Sequence, residues 1–200
     1  MTHRDAATLE AGLDHIRQSP SDHGTIELIV RRPAVDEREE VADATLDVTV
    51  GLVGDNWRVK GSTTTPDGSA NPEAQITVMN SRAALLLAAT PDRRKLAGDQ
   101  IYADLDLGPA NLPPGTRLAL GSAVIEVSGK PHLGCEKFGA RFGEVAWRFV
   151  NSRVGRELRL RGLNARVITG GTVRVGDIVR KLPTAPQAVI AEDKIAVGSA

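Results

Sequence analysis

The chain is short of almost everything that usually announces a site. Among 200 residues there is one cysteine, only 3% are aromatic, and 25 basic side chains balance 25 acidic ones. A single cysteine excludes an internal disulfide. With the four histidines scattered at positions 3, 15, 23 and 132, it also argues against a clustered Cys/His zinc site. No apolar run is long enough for a membrane span, and the N-terminus lacks the apolar stretch of a signal peptide. The sequence therefore reads as soluble and cytoplasmic, with no membrane partner. Zero net charge argues against a general nucleic-acid binder. No Walker-type phosphate loop, GxSxG elbow or HExxH motif is present.

What is present is an apolar fraction of 41%, enough for one buried domain. Its core must be mainly Val, Leu, Ile and Ala, with Trp57, Trp147, Phe138, Phe142 and Phe149 as large fillers. Charge is unevenly spread: residues 1–50 hold 5 basic against 11 acidic side chains, and residues 130–166 hold 9 basic against 3 acidic. The basic stretch is either a solvated face or a pocket for an anion.

Residues 5–18 carry Leu9, Leu13 and Ile16 at helical spacing, and "SPSDHG" ends that helix. Alternation then predicts strands in "TIELIVRR", with Ile26, Leu28 and Val30 on one face, and in "TLDVTV". "QITVMN" reads as a strand running into a helix at "SRAALLLAA", capped by Ser81. Two strands flank Gly121, one long helix runs from about Glu136 through Phe149, and "NARVITGGTVRVGDIVRKL" reads as a hairpin-like pair. Many short strands turning at glycines, without βαβ alternation, predict a mainly β domain with helical excursions (α+β), of barrel type. The expected divisions are 1–23, an N-terminal helix and linker; 24–182, the domain; and 183–200, a loosely held tail.

Cys135 lies in "KPHLGCEKFGARFG". It is either a small buried hydrophobe or a nucleophile. Gly134 would let a ligand approach, the expected helix from Glu136 would point its dipole at the sulfur, and Lys137, Arg141 and His132 would add positive potential. A thiolate so placed suits sulfane sulfur or a soft or high-valent metal. "GLVGD" at 51–55 is either a plain turn, with Gly51 and Gly54 supplying unusual dihedrals and Asp55 bonding its own backbone, or a place where the glycines let a ligand approach the main chain. Arg159, Arg161 and Arg166 alternate along the chain, as a solvated face or a phosphate grip.

"GLVGD", "QITVMN", "NLPPGTRLALGSAVIEV", "PHLGCEKFGARFG" and "RLRGLNARVITGGTVRVGD" occur in the order found in MOSC domains, and residues 24–182 resemble that family. The resemblance implies a MOSC-type β-barrel and a role with the molybdenum cofactor (molybdopterin) or in sulfur transfer. In that role Cys135 would carry a persulfide or ligate molybdenum. It further implies cofactor contacts from Lys137, Arg141, Arg161, Gly54, Asp55, Gln75 and His132. A small molybdenum-dependent reductase of N-hydroxylated compounds and a non-catalytic module that delivers sulfur or cofactor both fit. The implied partners are a sulfur donor such as a cysteine desulfurase, a molybdoenzyme, or an electron-donor protein. The pyridoxal-phosphate domain of the family's sulfurases is absent from this chain. Asn56 stands where a basic residue is common in the family, and Gly134 where proline is.

Overall fold

The computed structural model describes residues 3–183, so the expected tail, apart from Pro183, lies outside the described residues. Two short helices come first, α1 (Ala6–Ala11) and α2 (Leu13–Arg17), with Asp5 capping α1 through the amide of Thr8. Strands follow at β1 (Gly24–Arg31), β2 (Glu39–Val41), β3 (Asp43–Asp47) and β4 (Gly51–Leu52). Next are α3 (Trp57–Lys60), β5 (Ile76–Asn80), α4 (Ser81–Ala88) and β6 (Ile101–Asp104). The chain continues through β7 (Arg117–Leu120), β8 (Ala123–Val127), α5 (Glu136–Phe142), α6 (Glu144–Asn151) and α7 (Arg153–Glu157). It finishes with β9 (Leu163–Thr169), β10 (Gly171–Arg174) and β11 (Ile178–Lys181).

Seven strands close on themselves in the order β11-β7-β8-β9-β5-β6-β1, and β1 returns to β11 through Gly24 and Thr25. Closure removes the unpaired edges that an open sheet would expose. Neighbours are antiparallel except β5 and β6, which run parallel with α4 on the connection. A small sheet, β10-β3-β4, caps one side. The mainly β, α+β barrel expected from the sequence is therefore the observed fold.

The barrel interior is aliphatic, with Ile26, Ile29, Ile76, Ile101, Leu118 and Ile125 among its residues. Branched aliphatics fill so narrow a barrel without large rings. Tyr102, Phe138 and Phe142 belong to a second core between the barrel wall and the helices, where Leu9, Leu13 and Ile16 also sit. Trp57 and Trp147 are not core fillers, since both keep exposed surface.

Five local readings need correction. β1 does not keep one face: its register with β6 shifts between Ile26 and Leu28, so Ile26 and Ile29 face the barrel interior while Leu28 and Val30 face the helices. The strand expected through Val50 stops at Asp47, whose carboxylate accepts from the amides of Thr49 and Val50 and turns the chain. The cap of α4 is Asn80, not Ser81: its Oδ1 accepts from Ala83 N at 2.9 Å, and its Nδ2 donates to Ser19 Oγ and Leu105 O. The long helix is two, broken at Gly143, whose φ of 90° an L side chain rarely adopts. Likewise the C-terminal "hairpin" is three strands on different partners: β9 on β5 and β8, β10 on β3, and β11 on β7 and β1.

Candidate functional site

At the end of the barrel where β1 and β8 finish and β5, β6 and β9 begin, a cleft of about 560 Å³ opens. Its walls come from the loop after β1, from α3 and residues 61–64, and from the loop before α5; Thr77 and Asn164 reach it from β5 and β9. Asn164 donates its amide to the carbonyls of Lys130 and Pro131, tying the cysteine loop to the barrel.

The cysteine loop is set from the other side by α6. Gly134 N donates to Asn151 Oδ1 at 2.9 Å, and Gly134 O accepts from Trp147 Nε1 at 2.8 Å and Asn151 Nδ2 at 3.0 Å. A Cβ at position 134 would stand 2.8 Å from Val150 Cγ2 and 3.0 Å from Asn151 Nδ2, so this close seat needs glycine. Cys135 follows as the residue that opens α5, its sulfur unused as a cap. It is free, exposed and on the cleft wall.

Five cationic side chains line the cleft, Arg32, Arg38, Lys60, Lys130 and Lys137, against one acid, Asp36. Arg32 is fixed by the buried carboxylate of Asp55. Oδ2 accepts from Arg32 Nε at 2.7 Å and from its backbone N at 3.0 Å, and Oδ1 accepts from Nη2 at 2.8 Å and from Trp57 N at 3.0 Å. Arg38 is less well satisfied, its buried Nε having no partner among the described residues. Burial, then the nearby charges of Arg141 and Arg32, pull its guanidinium below the ordinary arginine range. Asp36 offsets part of this charge through Lys137 and Arg141, and the Lys137 ammonium holds its carboxyl below the usual range, with Arg141 adding to the effect. An anion entering here would relieve repulsion among like charges.

Beside the cleft, Arg161 pairs with Asp99, donates to Ala97 O and lies over the Phe138 ring at 5.2 Å. His132 lines the cleft with 16% of its side chain exposed, its Nδ1 3.4 Å from Asp99 Oδ1. Burial, with the charges of Arg161 and then Arg32, holds its pKa well below that of an ordinary histidine, so the ring is neutral near pH 7. Among the described residues no group of three or more His, Cys, Asp or Glu side chains could hold a metal ion.

Of the residues singled out in the sequence, Cys135, Lys137 and His132 line the cleft. The others stand behind it. Arg141 binds Leu96 O and Asp36. Gln75 is buried, donating to Val48 O and accepting from Val167 N, and so pins the small sheet to β9. Asp55 orients Arg32, while Gly54 packs against Arg31. Arg159 binds the carbonyls of Leu107 and Leu112, and Arg166 pairs with Glu126, so the row of arginines splits up. Arg32, Arg38 and Lys60 lie in segments far from the cysteine that only barrel closure brings beside it, whereas Lys130 opens the cysteine segment itself. Asp99 carried no local signal.

The fold and the site define a small closed seven-strand barrel domain with an exposed cysteine in a cationic cleft. The sequence model of the MOSC domain matches residues 69–180, more than half the chain, and the protein belongs to that family, which is associated with the molybdenum cofactor. Among solved structures, the YUAD protein from Bacillus subtilis is 14% identical over 81% of this chain and 97% of that one, with a TM-score of 0.60. YiiM from Escherichia coli is 19% identical over 80% and 71%, with a TM-score of 0.53. A crystallised hypothetical protein is 20% identical over 81% and 68%, with a TM-score of 0.55. At these identities the likeness is one of fold. No curated protein matches the chain. No helix among the described residues is long and apolar enough to cross a membrane.

Proposed function

We propose that the cleft binds the molybdenum cofactor, with Cys135 offering its sulfur to the metal and the cationic wall taking the phosphate of the pterin. The observation that carries this reading is the conjunction in one cleft of an exposed thiol, five cations, and an arginine whose buried Nε is unpartnered. The residues fit such a group. A volume of about 560 Å³ suits a small organic ligand, guanidinium groups match phosphate oxygens, and a thiolate is a soft ligand.

In this reading Arg32, preset by Asp55, and Arg38, short of a partner, grip the phosphate. Lys60, Lys130 and Lys137 raise the local potential that draws the anion in. Asp36 keeps the α5 end of the wall in place through Lys137 and Arg141. When bound, the metal centre supplies two-electron redox chemistry. Reduction of an N-hydroxylated base would then use electrons from an external donor protein.

Exposure of Cys135 supports a second reading, a sulfur carrier, since a partner can reach the atom. There the Cys135 thiolate attacks the terminal sulfur of a desulfurase persulfide, and a new S–S bond forms as the donor's thiolate leaves. A cofactor enzyme or cofactor pool would take the sulfur on.

Purification under anaerobic conditions from a host that makes the cofactor, followed by elemental analysis and intact mass, separates the two. About one molybdenum per chain, lost in Cys135→Ala with the fold retained, supports cofactor binding. A mass gain of one sulfur atom without metal supports the carrier. Neither signal contradicts both.

A further inference from the structure

The polar group beside the cleft has a feature that phosphate and metal binding do not account for. Asp99 is fully buried, and its Oδ2 is taken by Arg161. Among the described residues its other oxygen, Oδ1, has no hydrogen-bond partner; neither has His132 Nδ1, which is also buried and faces it at 3.4 Å. Burial pushes the Asp99 carboxyl up, and its pair with Arg161 works against that push; an ionised carboxylate oxygen can only accept, so with the pair intact the arrangement is favourable when Nδ1 carries the ring's proton. The lone pair is then on Nε2 of a ring that lines the cleft and keeps 16% of its side chain exposed. The charged groups facing the ring are Asp99, Arg161 and Arg32. Arg161 cancels the charge of Asp99, and Arg32 repels a second cation, so the carboxylate fixes the tautomer without drawing His132 into the imidazolium form.

We infer that His132 is a neutral hydrogen-bond acceptor of the cleft, oriented by Asp99 and Arg161, and that it selects a ligand bearing an N–H or O–H donor beside the anionic group that the cations take. The five cationic side chains of the wall only donate, and the one carboxylate, Asp36, is engaged by Lys137 and Arg141. A ligand N–H placed beside them needs an acceptor, since an unpaired donor is costly in a desolvated site, and apart from the hydroxyl and amide oxygens of the wall Nε2 is the group held for that role. The 3.4 Å separation is long for a hydrogen bond. The inference rests on the cofactor reading for the ligand's identity, since a pterin phosphate offers both groups.

The test is a long-range ¹H–¹⁵N spectrum of histidine-labelled protein, which reads the tautomer directly. The expected result is a neutral His132 ring protonated on Nδ1 at pH 7, with mixed tautomers in Asp99→Asn. A ring protonated on Nε2, or an imidazolium at that pH, overturns the inference. Binding is then compared for a pterin phosphate and for inorganic phosphate. His132→Phe should weaken the pterin probe roughly tenfold and leave inorganic phosphate unchanged, while His132→Gln, which keeps an acceptor, restores most of the loss. Equal effects on both probes also overturn it. If the wild-type protein takes inorganic phosphate but no pterin phosphate, the cofactor reading fails, and the tautomer spectrum alone then upholds or overturns the inference.

Discussion

Replacing Asp55 with asparagine tests the anchor of the cationic wall. The Asp55 side chain is 0% exposed and accepts four hydrogen bonds, three from Arg32 and one from Trp57 N, while the Arg32 side chain is 17% exposed. Asparagine keeps the volume but removes the charge, and it turns one acceptor toward Arg32 into a donor, leaving the guanidinium unpaired in a mostly buried place. Breaking a buried pair from one side costs about 3–5 kcal/mol, and the lower end applies because Arg32 also donates to Gly98 O. A loss of about 3 kcal/mol lowers Tm by roughly 6–12 °C in a chain of this size. Urea unfolding measures it, with an unchanged slope showing that the denatured state is the same. Asp14→Asn is the control: its pair with Arg17 is 84% and 49% exposed and should be worth less than about 0.5 kcal/mol. An Asp55→Asn loss as small as the control's would refute the anchoring role.

Gly134→Ala drives a methyl into Val150 and Asn151 and should cost about 1–3 kcal/mol by urea unfolding, with loss of the Trp147 contact followed by its fluorescence. Asn80→Ala removes the α4 cap together with buried bonds to Ser19 and Leu105, and a stability loss of about 2–4 kcal/mol is expected in the same assay. His132 is held neutral in the folded state, so the unfolded chain binds its proton more tightly. Its contribution is fully present above the unfolded value near 6.5 and is lost as pH falls toward the lower folded value, at up to about 1.4 kcal/mol per unit. Urea midpoints from pH 7.5 downward should therefore fall less steeply in His132→Gln; parallel curves would count against a buried neutral ring.

The barrel was legible because alternation survives in short strands, and because turns need glycine, as at Gly121 between β7 and β8. β1 was misread because one bulge moves every later side chain to the opposite face, and a bulge leaves no mark in the apolar pattern. The helix from Glu136 was overextended because periodicity continues across Gly143 while the backbone does not. At the site, the cysteine and its near neighbours Lys137 and His132 could be read from one segment. Lys130, which opens that segment, belongs with them, and the rest of the wall could not be read this way. Arg32 and Arg38 come from the loop after β1, Lys60 from α3 and Asp99 from the turn before β6, and only strand pairing places them together. The expected ligand contacts at Asp55, Gln75 and Arg161 are polar residues that hold backbone or other side chains, a role that residue type alone does not distinguish from ligand binding.

The central claim, a reachable thiol set among cations, is measured most directly by the alkylation of Cys135 with two reagents of like size, anionic iodoacetate and neutral iodoacetamide. A cationic cleft should raise the iodoacetate-to-iodoacetamide rate ratio well above that of a small free thiol. Added phosphate should bring the ratio back down, and Arg38→Ala should lower it. A ratio equal to the free thiol's, indifferent to phosphate and to Arg38, would contradict the account.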